Sequence, residues 1–327
     1  MDLLQEIRGK TLALTGDASL DGINAVIRHI EVAERYFSRA RDEHEEDLFN
    51  DVIYRTNQAF EGMLKEAYTV LSSNDGAKLS PHQIEQHLLQ ASVFTARVLD
   101  LFKNYRQQWR NPSTHNHNLF FSEQEAFLAI VSVSAFANIL LDQIIEVINF
   151  KREQEEVQRF RGKFQQVLQD TESKPLHEQL VALLKQFSGD LVSSITAPPR
   201  ITEAEVIGRV HGFLETIGIG GVVKREPLIT SGLVKVGQHR RSSLRPDLYV
   251  IKGAEEVVIE VKRPGYNKST MDSGQSQVLS YLEGLNLRHG ILYLPPVTNA
   301  QMESTTTEYR TGDGVVWVHT IAPTSIR

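Results

Sequence analysis

Apolar positions recur at helical spacing through the first half of the chain. Segment 22–40 places Ile27, Ile30, Ala33, Tyr36 and Phe37 on one face, and segment 52–71 does the same with Val52, Phe60, Met63, Leu64, Ala67 and Leu71. The acidic run DEHEED at 42–47 separates them and reads as a solvated helix end or turn. Ser80 followed by Pro81 predicts a third helix start, with an N-cap and a proline at the first helical position, and the helix can run to about Trp109. Ser122 and Glu125 have the spacing of a capping box ahead of FLAIVSVSAFANILLDQIIEVI. That stretch is apolar on most faces, as the central helix of a bundle would be.

The character then changes. KREQEEVQRFRGKF is charged and helical, PLHEQLVALLKQF is a short amphipathic helix, and TAPPR at 196–200 is a break that a proline pair enforces. Beyond it a helix over 202–217 leads into strands near 220–236, 247–252, 257–263, 290–294 and 315–320, with a further helix near 272–286. The expected architecture is α+β and multidomain. An all-α bundle at 1–165 and a helical linker at 166–200 precede an α/β domain at 201–327 with a small mixed sheet.

Composition narrows the chemistry. The chain has 327 residues and no cysteine, which excludes disulfides, thiolate metal sites and a cysteine nucleophile. A metal would need oxygen or imidazole ligands. The net charge of −6 means that any grip on phosphate must come from a local patch. Such a patch lies between 224 and 245, where Lys224, Arg225, Lys235, Arg240, Arg241 and Arg245 face a single acid, Glu226. The N-terminus has no signal-peptide pattern, and no stretch of about twenty apolar residues reads as a bilayer span. The expectation is a soluble, cytoplasmic protein with no membrane partner.

The densest chemistry lies in RPDLYVIKGAEEVVIEVKRPG, residues 245–265. LYVIK and VVIEVKR are β-rich, and the GAEE between them predicts a hairpin. Alternation along a strand points Glu260 and Lys262 one way and Ile259 and Val261 the other. Folding back brings Asp247 level with Glu260, so two carboxylates and an ammonium converge. Hard oxygen ligands of this kind suit Mg²⁺, and a lysine beside them can orient a water or stabilise charge on a phosphate.

Pro246-Asp247, twelve residues, then Glu260-Val261-Lys262 resembles the PD-(D/E)XK nuclease motif. The helix at 202–217 carries Glu203 on the same face as Val206, Val210, Phe213, Leu214 and Ile217. A carboxylate there is unusual without a partner. The resemblance implies a metal-directed glutamate on that helix, Glu203, with Glu205 as the fallback. Gln277 and Tyr281 match the family's Q-x-x-x-Y element on the helix after the lysine strand. The resemblance therefore implies Asp247, Glu260 and Lys262 as catalytic residues, with Asp247, Glu260, Val261 and Glu203 holding Mg²⁺ or Mn²⁺. Gln277, Tyr281, Arg240, Arg241 and Arg245 would contact DNA.

In the N-terminal half, Trp109-Arg110-Asn111-Pro112-Ser113-Thr114-His115 resembles the R-x(4–6)-H motif of HEPN domains, and QAFEGMLKEAYTVL looks like a core helix of that family. The resemblance covers roughly residues 20–150. It implies a metal-independent ribonuclease site with Arg110 and His115 catalytic and Asn111 orienting, formed across a homodimer of the helical domain. Together the two resemblances point to a prokaryotic anti-phage effector that cuts DNA, with RNA as a second substrate and partner proteins of a defence system. Two alternatives stay open: a ribonuclease toxin whose C-terminal domain steers it to nucleic acid, and a non-catalytic assembly module of a defence complex.

Overall fold

A computed structural model of the chain describes residues 2–324 apart from 18, 77, 91–95, 116–118, 194–200, 226–228, 231–242, 299 and 313. The chain divides into two compact units, Met1–Ile148 and Asn149–Arg327.

The first unit is helical: α1 (Leu3–Thr11), α2 (Leu20–Glu43), α3 (Leu48–Ser72), α4 (Pro81–Gln90), α5 (Ala96–Tyr105), α6 (Asn111–His115) and the start of α7 (Glu123–Phe160). Both predicted caps form. The Ser80 N–H donates to Gln83 Oε1 at 2.9 Å, and the Ser122 N–H donates to Glu125 Oε2 at 2.8 Å. Phe60 of α3 is the hub of the core. It stacks on Tyr105 of α5 at 4.6 Å between ring centroids and meets Phe136 of α7 at 5.0 Å. The chain stays helical beyond Trp109, where the third helix was expected to end. Residues Arg106–Arg110 make a π-helical turn, in which the Asn111 N–H bonds to the Arg106 carbonyl, and α6 follows directly. Pro112 has no N–H to give, and its ring would crowd the carbonyl four residues back. The widened turn accommodates both.

One helix among the described residues, α7, is long and apolar enough to cross a bilayer by length and composition, against the sequence expectation. Within the protein 61% of its apolar window is buried, as in a core helix.

The second unit continues through α8 (Gly162–Thr171), α9 (Leu176–Ser193) and α10 (Glu203–Ile217), then builds a sheet. Its strands are β1 (Val222–Arg225), β4 (Leu248–Lys252), β5 (Glu255–Val261), β6 (His289–Tyr293), β7 (Met302–Thr311) and β8 (Gly314–Pro323). Two short strands, β2 (Ile229–Thr230) and β3 (Ser243–Leu244), pair apart from it. The six-stranded order is β1-β4-β5-β6-β8-β7. β5, β6 and β8 run parallel, and the pairs at the two edges are antiparallel. The crossover from β5 to β6 is α11 (Lys268–Leu285), as parallel pairing requires. Alternation splits the core in two. Val257, Ile259 and Val261 pack with α8, α9 and α10, whereas Val258 and Leu292 pack with Val278 and Leu282 of α11.

The linker expected at 166–200 is corrected by this core. Leu176, Leu180, Leu183, Leu184, Phe187 and Leu191 of α9 lie along one face and are buried with the sheet. The contact boundary accordingly falls at 148/149, inside α7, and not near 165. The charged end of α7 belongs with the second unit because Glu153 forms a buried ion pair with Arg209 of α10 at 2.7 Å. β7 was not expected. Glu303, Ser304, Thr305 and Thr306 are exposed in a row, so the strand lacks the apolar alternation that sequence reading depends on.

Candidate active site

The hairpin β4–β5 closes through Gly253 and Ala254, with Lys252 opposite Glu255 and Gly253 in the left-handed region at φ 61°. That two-residue turn sets a register in which Leu248 faces Ile259 and Asp247 comes beside the end of β5. Asp247 Oδ2 accepts a 2.7 Å hydrogen bond from the Val261 backbone N–H. Lys262 Nζ donates to Glu260 Oε1 at 2.5 Å and to Gln277 Oε1 at 3.1 Å. Gln277 Nε2 donates to the Tyr281 hydroxyl at 2.7 Å, and that hydroxyl donates to the Arg245 carbonyl at 2.9 Å. A continuous polar chain therefore ties α11 to the strand that carries Glu260 and to the segment leading into Asp247.

The electrostatics are those of a site with too much negative charge. Burial pushes the Asp247 carboxyl well above its usual range, and the charges of Glu260 and Glu203 push the same way. Glu260 is 1% exposed, and burial raises it as well, although Lys262 pulls it back. Burial alone would lower Lys262, but Glu260, Glu203 and Asp247 outweigh it and hold the ammonium firmly charged. Burial and the nearby carboxylates Glu260 and Asp247 also raise Tyr281. Glu260 Oε2 is buried with no hydrogen-bond partner among the described residues. A buried carboxylate oxygen without a donor carries a desolvation cost that a cation would offset, so the donor set fits a hard divalent ion.

No protein-family model, curated protein or solved structure matches this chain.

Of the residues singled out from sequence, Asp247, Glu260, Lys262, Glu203, Gln277 and Tyr281 come together, along with the backbone of Val261 and Arg245. Glu203 sits in the first turn of α10, behind the Thr202 N-cap. Its charge acts on Asp247, Glu260 and Lys262. The fallback, Glu205, interacts instead with Arg209 and Arg152. The Val261 side chain is fully buried, so it could meet a cation only through its carbonyl. Arg245 Nε is buried without a hydrogen-bond partner among the described residues. Arg240, Arg241 and Lys235 lie outside the described residues.

In the helical unit, Arg110 Nε donates to Glu61 Oε1 at 3.2 Å and Arg110 Nη1 donates to Asn111 Oδ1 at 3.3 Å. Both residues line a cavity of about 240 Å³ with Arg106 and Phe60. The His115 side chain lies outside the described part of the structure.

Sequence reading missed one polar cluster. His177, His289 and His319 gather on the second unit, from α9, β6 and β8. They are far apart in the chain and form no spaced motif. The one local signal is His319, which interrupts the largely apolar run of β8.

Proposed function

We propose that this protein is a metal-dependent endonuclease hydrolysing phosphodiester bonds, with DNA as its main substrate and a PD-(D/E)XK-type core of Asp247, Glu260 and Lys262. The observation that carries the reading is the convergence of two carboxylates and an ammonium at one end of the sheet, with Glu260 Oε2 left unpartnered. Asp247, Glu260, Glu203 and the Val261 carbonyl would hold Mg²⁺ or Mn²⁺. An ion held there supplies positive charge to the phosphate and acidifies a water.

The remaining work falls to the chain's own groups. Lys262, held on Gln277, is placed to donate a proton-bearing N–H to a phosphate oxygen or to orient the attacking water. Gln277 and Tyr281 fix that lysine by tying it to the Arg245 backbone. Arg245, Lys224 and Arg225, with Arg240 and Arg241 of the same basic segment, supply the local positive charge that a chain of net charge −6 needs to hold a phosphate backbone.

A second reading concerns the bundle. Arg110 and Asn111 share a cavity with a further arginine, Arg106, which supports a HEPN-like ribonuclease site that uses no metal. The pairing of the two domains supports a role as a prokaryotic antiviral effector in the cytoplasm. It would act as a homodimer joined through the helical domain, with partner proteins of its defence system.

The test is the purified full chain with DNA and RNA substrates, in Mg²⁺ or in EDTA. Mg²⁺-dependent DNA cleavage that Glu260→Gln abolishes is the expected result. EDTA-resistant RNA cleavage would make the bundle the active half and the C-terminal domain a nucleic-acid-binding module. Neither activity would leave a non-catalytic assembly role.

A further inference from the structure

Three histidines from separate elements of the second unit bring their ring nitrogens within 4.8 Å of one another. His177 is the second residue of α9, and Glu255 of β5 fixes that helix end by accepting the Leu176 N–H at 2.7 Å. His289 opens β6, and His319 lies on β8, where β6–β8 register sets it opposite Ile291. Alternation puts both strand histidines on the face that packs against α9. The His177 and His289 rings lie parallel at 3.7 Å, and His319 stands 4.8 Å from His177. Glu260 and Lys262, by contrast, lie at the far end of β5, with Glu260 opposite Leu292.

The three rings stack, with His289 also lying on Trp317 at 5.1 Å, and two of their nitrogens converge as well. His289 Nδ1 and His319 Nε2 are 3.1 Å apart. Two nitrogens bound at about 2.05 Å on a tetrahedral ion lie about 3.3 Å apart. The other nitrogen of His319 is 3.0 Å from the Thr306 hydroxyl. If Nδ1–H donates there, the tautomer is fixed and Nε2 presents its lone pair, which is the usual outer-sphere arrangement around a ligating histidine. Glu178 and Glu255 add negative charge nearby, which favours a cation.

We propose that His177, His289 and His319 form a binding site for a late first-row divalent ion of the Zn²⁺ type, separate from the carboxylate site. Imidazole selects zinc, copper or nickel over magnesium, which takes hard oxygen ligands. With three protein ligands, a fourth position stays open to water. The His177 nitrogen lies within 4.8 Å of the other two. Bound there, the ion clamps the start of α9 to β6 and β8.

The experiment is equilibrium dialysis of the metal-stripped full chain against Zn²⁺ alone, with thermal melting as a second readout. The comparison set is His177→Gln, His289→Gln, Glu260→Gln and, as a control at an exposed turn, His44→Gln. His177→Gln sits at a half-buried helix end, so it tests the site even if the strand variant folds poorly. The expected result is that Zn²⁺ raises the melting temperature further when excess Mg²⁺ is already present, and that His177→Gln removes this additional rise. Loss of either triad histidine should weaken uptake roughly a hundredfold, since even outer-sphere partners cost tenfold to a hundredfold. Glu260→Gln and His44→Gln should leave that uptake in place. No Zn²⁺ uptake, or uptake that survives His177→Gln and disappears with Glu260→Gln, overturns the proposal.

Discussion

Asp247 accepts the Val261 backbone N–H at 2.7 Å, and this one contact fixes its carboxylate beside Glu260 across the β4–β5 hairpin. Two strands that would otherwise present separate acids instead present a pair. The pair is costly without a cation, because burial opposes the ionisation of both, and the charges of Glu260 on Asp247 and of Glu203 on both add to it.

The first prediction follows from that cost. A carboxyl whose folded-state value is raised destabilises the fold above its unfolded value, so replacing it with a neutral isostere relieves the strain. Asp247→Asn keeps an oxygen for the Val261 N–H and removes the charge. In EDTA it should melt higher than wild type, by roughly 2–4 °C if the relief is about 1 kcal/mol. In Mg²⁺ the order should reverse, and DNA cleavage should be lost. A lower melting point than wild type in EDTA would mean that the pair is not strained.

Lys262 separates turnover from metal binding. Lys262→Met keeps the buried stem but loses the N–H groups. Turnover at saturating Mn²⁺ should fall roughly a hundredfold or more, the scale of a lost proton-handling group. The Mn²⁺ concentration for half-maximal activity should rise little. Gln277→Leu should give a smaller loss, because it frees the lysine without removing it. Wild-type turnover in Lys262→Met would remove that residue from the chemistry.

The carboxylate–lysine site was legible in sequence because its parts are local. Asp247, Glu260 and Lys262 lie on one hairpin, and alternation alone sets which side chains share a face. Glu203, Gln277 and Tyr281 sit on helices whose apolar periodicity gives their facing. The α9 segment misled as a linker because its leucines, though at helical spacing, do not say what they pack against. β7 was hidden because an edge strand with exposed threonines buries almost nothing. The histidine cluster was not legible, since its three residues meet only through the β6–β8 register and the packing of α9 on that face of the sheet.

A packing test checks the sheet–helix layer that carries Gln277 and Tyr281. A Cβ at Gly290 would stand 2.5 Å from Val278 Cγ1 and 3.1 Å from Leu282 Cδ2 and Val258 Cγ2. Gly290→Ala should therefore cost about 1–3 kcal/mol in urea unfolding, the range for overpacking. Adding Val278→Ala should recover part of that loss. Equal stability of Gly290→Ala and wild type would mean that α11 does not pack so closely on β6.

The bundle can be tested on its own chemistry. If the bundle is a HEPN-like ribonuclease, Arg110→Ala and His115→Ala should each stop RNA cleavage by the full chain, and EDTA should not. A proton-transferring histidine and a phosphate-binding arginine need no ion. The products of such a site should carry 2′,3′-cyclic phosphates, because the neighbouring hydroxyl would be the nucleophile. RNA cleavage that requires both Mg²⁺ and Glu260 would leave the bundle as scaffold.

The last prediction is a pH dependence of stability carried by His211 on α10. Its side chain is 15% exposed, its ring lies 4.6 Å from that of Phe150, and Glu215 is 3.8 Å away. Burial, with a smaller push from Arg225, lowers it from 6.5 to about 4, against a hydrogen bond to the Val223 backbone that raises it. The folded chain therefore holds His211 neutral where the unfolded chain binds a proton. Stability from this group is complete above pH 6.5, falls as the pH drops from 6.5 to 4, and is level below that. The full swing is roughly 3 kcal/mol at 1.36 kcal/mol per pH unit. His289 and His319 are lowered in the same direction, so wild type should lose stability steeply over this window. His211→Gln keeps a donor for the Val223 backbone and cannot titrate, so its urea-unfolding free energy should fall less steeply between pH 6.5 and 4, by about one proton's worth of slope. If wild type and His211→Gln show the same slope, the histidine titrates alike in the folded and unfolded chain, and its burial does not govern its charge.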